Sequence, residues 1–269
     1  MKKVWAVYFS ATKTTEKVVC TIAEALAEAL STDWGKRDFT LPEARKEEYS
    51  FGCGDIVIMG TPVYAGRVPN VLLPFLKTIK GEGTKAVPVV LYGNRNFDDA
   101  LAELRDILET QGFICGAAAA FVGEHAFSRI LAAGRPDEED LLEARKFGRS
   151  VGEKIINGRF SGGISVPGRS PSPGYFKPRG PAGEPVDIRK VKSLVTEDCD
   201  DCGLCARVCP MGSICPDNVR EYRGICIKCG ACIKGCPRDA RYYDDPGFLF
   251  HKRDLEERLT ERAEIGIWL

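Results

Sequence analysis

The chain has 269 residues, of which 44% are hydrophobic and 28% charged, a balance that excludes wholesale disorder. Lys and Arg number 38, as do Asp and Glu, so the zero formal net charge gives no case for binding nucleic acid or a membrane surface. No apolar run approaches the roughly 18 residues of a membrane span, so no transmembrane helix is expected.

Val4 to Phe9 reads as a continuous apolar strand buried on both faces. Its apolar run is too short for the core of a signal peptide, so the N-terminus is expected to be this strand. Thr15 to Leu30 reads as a helix, with Val18, Ile22, Ala25, Leu26 and Ala29 on one face. A weaker strand lies near Trp34 to Phe39, and stronger ones at Asp55 to Gly60 and Ala86 to Tyr92. A helix follows from Asp98 to about Thr110, with Leu101, Leu104 and Leu108 as its stripe. Phe113 to Val122 is the fifth strand, and Pro136 to Asn157 the closing helix. Pro136 suits a first turn, where Asp137, Glu138, Glu139 and Asp140 complement the helix dipole. Strands alternating with helices predict an α/β domain over 1–157, a doubly wound five-stranded parallel sheet.

Residues 158–190 are rich in Gly, Pro and Ser and read as a linker. The stretch is basic through Arg159, Arg169, Lys177 and Arg179, which admits a nucleic-acid arm, but a solvated or domain-wrapping linker is the expected reading. Tyr175 and Phe176 imply that part of it packs. A small α+β domain is expected over 191–246, and a tail over 247–269 with a short helix from Lys252 to Arg262.

Nine of the 12 cysteines lie between Cys199 and Cys236, and the others are Cys20, Cys53 and Cys115. Such clustering at one end differs from a secreted disulfide scaffold and predicts metal binding in a reducing cytoplasm. Cys199, Cys202, Cys205 and Cys209 recur as Cys226, Cys229, Cys232 and Cys236, each 27 residues later. Pro210 and Pro237 close the two halves. Each half reads C-x2-C-x2-C-x3-C-P. Three closely spaced thiolates can wrap one cubane, while the fourth, past the turn, points to the other half. One [4Fe-4S] cluster is therefore expected on Cys199, Cys202, Cys205 and Cys236, and the other on Cys226, Cys229, Cys232 and Cys209. Zinc is the competing ligand, but it prefers paired C-x2-C units separated by a longer loop. Leu194 to Asp245 resembles a bacterial two-cluster ferredoxin, which implies one-electron transfer.

Phe9 leads into Ser10-Ala11-Thr12-Lys13-Thr14-Thr15 and then a helix, a strand–loop–helix site for a phosphate. Hydroxyl-rich loops also cap helices for structural reasons alone. The loop resembles the flavodoxin phosphate loop S/T-x-T-G-x-T: Ser10, Thr12 and Thr15 match, and Lys13 replaces the usual Gly. Two later strand ends carry Thr61-Pro62-Val63-Tyr64-Ala65-Gly66-Arg67 and Gly93-Asn94-Arg95-Asn96-Phe97-Asp98. In flavodoxins such loops sandwich the flavin, with aromatics where Tyr64 and Phe97 stand. The G-x-G-x-x-G dinucleotide pattern is absent here, which favours FMN over NAD or FAD.

The whole chain resembles the flavodoxin–ferredoxin fusions of mostly anaerobic bacteria and archaea. The resemblance implies two [4Fe-4S] clusters and FMN in one electron-transfer protein, served by redox partner proteins or a small-molecule acceptor. The alternative is an FMN-dependent oxidoreductase reducing a small molecule, with His125 as proton donor beside Arg67 and Arg95. Residues 61–70 contain no Asp or Glu, so Arg67 and Arg95 are expected to favour the reduced flavin and draw electrons from the clusters.

Overall fold

The computed structural model describes residues 3–269. The strands of the first domain are β1 (Lys3–Tyr8), β2 (Asp33–Asp38), β3 (Asp55–Pro62), β4 (Lys85–Tyr92) and β5 (Ala118–Val122). Its long helices are α1 (Thr14–Leu30), α2 (Ala100–Thr110) and α3 (Glu138–Ile156). All five strands run parallel in the order β2-β1-β3-β4-β5. This is the flavodoxin-like doubly wound order, whose ligand crevice lies beyond the carboxyl ends of the strands.

Alternate residues of each central strand enter opposite cores. Ala6, Tyr8, Ile56, Ile58, Val87, Val89 and Phe121 pack with α1 and α3. Val7, Phe9, Val57, Met59, Val90 and Val122 pack with Leu101, Leu104 and Leu108 of α2. A parallel sheet covered on both faces requires this near-continuous apolar sequence. The α3 N-terminus carries a capping box in which Asp137 and Asp140 each bond the other's backbone N–H. The expected fifth strand is broken at Gly116. Ile114–Cys115 pairs briefly with β4, and β5 proper starts at Ala118.

The second domain has a short hairpin of β6 (Leu194–Val195) and β7 (Arg241–Tyr242), and two single-turn helices, α4 (Leu204–Arg207) and α5 (Ala231–Lys234). The chain then returns to the first domain. Helix α6 (Pro246–Arg258) leads to β8 (Gly266–Trp268), which pairs antiparallel with β5 as a sixth strand. Residues expected to form a tail thus cover a sheet edge that would otherwise expose unpaired backbone. The 158–190 segment wraps the first domain: Arg105 donates to the Ile164 carbonyl at 3.0 Å, and the Arg169 N–H to Asp99 at 2.9 Å.

Candidate redox site

The two halves of the cysteine repeat fold alike. Left-handed backbone occurs at Asp201 and Lys228, at Gly203 and Gly230, and at Gly212 and Asp239, each pair 27 residues apart. These turns aim the sulfurs into two cavities. Cys199, Cys202, Cys205 and Cys236 line one, with Gly203 and Arg241 among its other walls. Cys209, Cys226, Cys229 and Cys232 line the other, with Ile214, Tyr222 and Tyr243. In each, three cysteines come from one half and the fourth from the opposite half. The sets also differ in exposure: Cys202 is exposed, whereas Cys229 and Cys232 are buried. Burial pushes the Cys232 thiol up to about 11. Four thiolates converging on one cavity repel one another unless a cationic metal centre lies between them, so the donor set fits an iron–sulfur cluster.

The cavity with Cys226 faces the first domain. Arg45 donates to the Pro210 carbonyl at 2.5 Å and to the Phe39 and Thr40 carbonyls at 2.9 and 2.7 Å. Lys234 donates to the His125 carbonyl at 2.7 Å and ion-pairs with Glu124. Arg129 reaches Asp239 at 2.6 Å. Gly230 packs so closely that a Cβ there would stand 2.5 Å from the Ala126 carbonyl oxygen. Ile227, between two of the cysteines, packs against the same core as Ala11 and Val63. Burial, then the nearby Cys229 and Cys226 sulfurs, hold the Tyr64 phenol well above its ordinary pKa.

The hydroxyl loop keeps its groups at the β1–α1 junction. The Ser10 N–H donates to Thr40 Oγ1 at 2.8 Å, and Ser10 Oγ accepts the Glu16 N–H at 3.0 Å. Ser10 and Thr15 are buried, while Thr12 and Thr14 are half-buried. Lys13 adopts the left-handed conformation (φ 68°) that the usual Gly would take. Its ammonium pairs with Glu16 at 3.0 Å and Asp38 at 3.8 Å. On the neighbouring loop, Thr61 is fully buried and its Oγ1 has no partner. Pro62 and Val63 are half-buried, and Ala65 and Gly66 turn with positive φ. The unsatisfied Thr61 hydroxyl and the hydroxyl loop fit a polar flavin–phosphate ligand.

The third loop is committed elsewhere. Asn94 donates to the Leu259 and Glu261 carbonyls at 3.0 and 2.8 Å and accepts the Ala263 N–H at 3.1 Å. Phe97 packs against Tyr92 and Trp268. Gly93 lies against the His125 ring. Arg95 pairs with Asp98 and lies over Phe176. Arg67 pairs with Glu103 and lies over Tyr175. The expectation of two free cations beside a flavin is therefore corrected: each guanidinium has its own carboxylate, and the inferred direction of electron flow loses its basis.

His125 Nδ1 accepts the Phe127 N–H at 3.1 Å, which leaves the ring proton on Nε2. Burial, then the Lys234, His251 and Arg95 charges, lowers its pKa to about 3. It is neutral near pH 7 and holds no proton of an imidazolium to give. Sequence reasoning missed His251, which α6 brings to the same region, its ring 6.1 Å from Phe176. Only the return of the chain to the first domain places it there.

A model of the 4Fe-4S binding domain matches residues 196–212 and 223–243. NADH-quinone oxidoreductase subunit I 2 of Streptomyces coelicolor is 29% identical over 107 residues, covering 32% of this chain and 54% of its own length. The chain thus spans about half the length of the curated relative it matches. A flavodoxin from the domain Archaea covers 58% of this chain and 99% of its own at 16% identity and a TM-score of 0.41. Flavodoxin 2 from Bacillus cereus covers 57% and 99% at 19% identity and a TM-score of 0.42. Among the described residues no helix is long and apolar enough to cross a membrane.

Proposed function

We propose that this chain, which joins a flavodoxin-like α/β domain to a ferredoxin-type 4Fe-4S domain in the manner of flavodoxin–ferredoxin fusions, moves single electrons between two [4Fe-4S] clusters and FMN. Cys199, Cys202, Cys205 and Cys236 hold the outer cluster; Cys226, Cys229, Cys232 and Cys209 hold the inner one. Ser10, Thr12, Thr14 and Thr15 hold the FMN phosphate, and the 61–67 loop receives the ring. Such clusters supply one-electron exchange, and FMN takes one or two electrons.

The observation that carries this reading is that Ile227, between Cys226 and Cys229, packs against the same core as Ala11 of the hydroxyl loop and Val63 of the 61–67 loop. Arg45, Lys234 and Arg129 clamp the domains there, so exchange inside one chain needs no diffusional encounter. Exposed Cys202 marks the opposite cavity as the side open to a redox partner in a reducing compartment. An electron carrier is favoured over a small-molecule reductase by the closure of the 93–98 loop. Residues 259–263 occupy the Asn94 amide, and Phe176 donates its N–H to the Ala65 carbonyl at 2.8 Å.

The test is anaerobic purification with iron, sulfide and flavin analysis, followed by rapid mixing with a one-electron reductant. About eight irons and one FMN per chain are expected. Flavin reduction should slow when the outer cluster is removed. Protein that binds no FMN, or flavin reduced equally fast without clusters, refutes the reading.

A further inference from the structure

Arg241 stands on β7 between the two cysteine sets and is only 4% exposed. Nη1 donates to Ser193 Oγ at 3.0 Å and to the Tyr222 hydroxyl at 3.3 Å, and Nη2 donates to the Val219 carbonyl. Nε has no partner. Each of these oxygen acceptors is neutral, and none of the ion pairs among the described residues includes Arg241. A buried guanidinium without an anion is strongly disfavoured, because its hydration is lost and nothing replaces it. The neighbour that can carry a negative charge is the Cys205 sulfur, so the counter-charge comes from the cysteine set to which Cys205 belongs and what that set holds.

The position of Arg241 agrees. Arg241 lines the cavity of Cys199, Cys202, Cys205 and Cys236. Arg241 does not line the cavity of the other set and reaches it only through two hydrogen-bonded neighbours: Ser193, whose Oγ is 3.6 Å from Cys232 Sγ, and Tyr222, which stands in that cavity's wall. The internal repeat supplies the comparison. The residue 27 positions earlier is Ile214, which is 2% exposed and lines the cavity of Cys209, Cys226, Cys229 and Cys232. Two halves with matching turns thus place a cation at one cavity and an aliphatic side chain at the other.

We propose that Arg241 is the buried counter-charge of the cluster held by Cys199, Cys202, Cys205 and Cys236, and that it sets this cluster's potential above that of its repeat partner beside Ile214. The proposal rests on the two-cluster reading above. A cubane on four thiolates is an anion that gains one further negative charge on reduction, and a fixed cation favours the more negative state. Arg241 acts through the field and a fixed hydrogen-bond frame. It is a positioning residue and exchanges no proton or electron.

Arg241→Ile makes the two halves alike at this position. In an anaerobic titration followed by electron paramagnetic resonance, one midpoint should fall by at least the equivalent of tenfold, about 59 mV for one electron. The other should move less, so the two should converge. Cys202→Ser, which alters only the outer signal, identifies which midpoint fell. Arg241→Lys keeps the charge and should hold the midpoint within that tenfold range. Loaded Arg241→Ile with both midpoints unmoved overturns the proposal, as does a larger fall at the inner cluster. If Arg241→Ile fails to load iron, Arg241→Lys decides: loading with a preserved midpoint supports the counter-charge, and failure to load overturns it. Wild-type protein lacking two cluster signals refutes the two-cluster reading instead.

Discussion

Arg45 reaches across the domain boundary to donate to the Pro210 carbonyl at 2.5 Å, one residue past Cys209. The same guanidinium donates to the Phe39 and Thr40 carbonyls, and Thr40 Oγ1 in turn accepts the Ser10 N–H. One side chain therefore ties the hydroxyl loop to a cluster cysteine. Charged hydrogen bonds of this kind are worth about 1.5–3 kcal/mol each. Arg45→Ala should loosen the clamp without emptying either cysteine set. Hydrogen exchange should accelerate around residues 209–213 while iron content stays at the wild-type value. Unchanged exchange there would show that Lys234 and Arg129 hold the domains unaided.

The cysteine sets make a sharper prediction. Cys236 lies ten residues or fewer from Cys226, Cys229 and Cys232 in sequence, yet it lines the cavity of Cys199, Cys202 and Cys205. Cys236→Ser should convert or abolish the cluster at that cavity and leave the other intact. Iron analysis and electron paramagnetic resonance distinguish the two. Loss confined to the Cys226 cluster would refute the crossed ligation.

Much of this arrangement was legible in the sequence, for identifiable reasons. Strands buried on both faces have no polar side, so Val4 to Phe9 and Ala86 to Tyr92 announce themselves by composition alone. The cysteine repeat constrains its own geometry by spacing. Partnering across long separations was not legible. Nothing near Arg67 in sequence announces Glu103, and nothing near Asn94 announces residues 259–263. Both loops have turn-like sequences equally suited to holding a ligand or a distant segment. The three-residue β8 is too short to carry a period-two signal, so its addition to the sheet was not expected either.

FMN binding is tested at the hydroxyl loop. Thr12→Ala and Thr15→Ala should each weaken FMN by about 1.5–3 kcal/mol, roughly 10- to 150-fold in Kd, through lost charge-assisted bonds to the phosphate. Fluorescence titration of the flavin-free protein measures this, and iron content serves as the control. Thr61→Val should weaken binding if the unpartnered Thr61 Oγ1 meets the flavin. It should leave Kd unchanged if that hydroxyl is only a core defect. Undiminished affinity in the Thr12/Thr15 double variant would place the phosphate elsewhere.

Acid stability depends on the burial of His125. Burial is the main cause that brings the His125 pKa to about 3, with Lys234 and His251 adding repulsion. In the unfolded chain the same ring takes up a proton below its ordinary value of 6.5. Between about 3 and 6.5 the unfolded state therefore binds more protons at this site, so stability must fall as pH falls through that window. Above 6.5 the ring is neutral in both states and contributes no slope. His125→Gln cannot be protonated and should flatten the decline between pH 6.5 and 4 relative to wild type. Its stability near pH 7 reports only the change in packing and in the Phe127 hydrogen bond. Lys234→Met, which removes the repelling cation, should raise the His125 pKa toward 6.5, so the decline still begins near pH 6.5 but ends at a higher pH and is smaller in total. Denaturant unfolding across this range, followed by ellipticity under anaerobic conditions, measures all three proteins. An identical pH slope in wild type and His125→Gln would mean that His125 is protonated as readily in the folded chain as in the unfolded one.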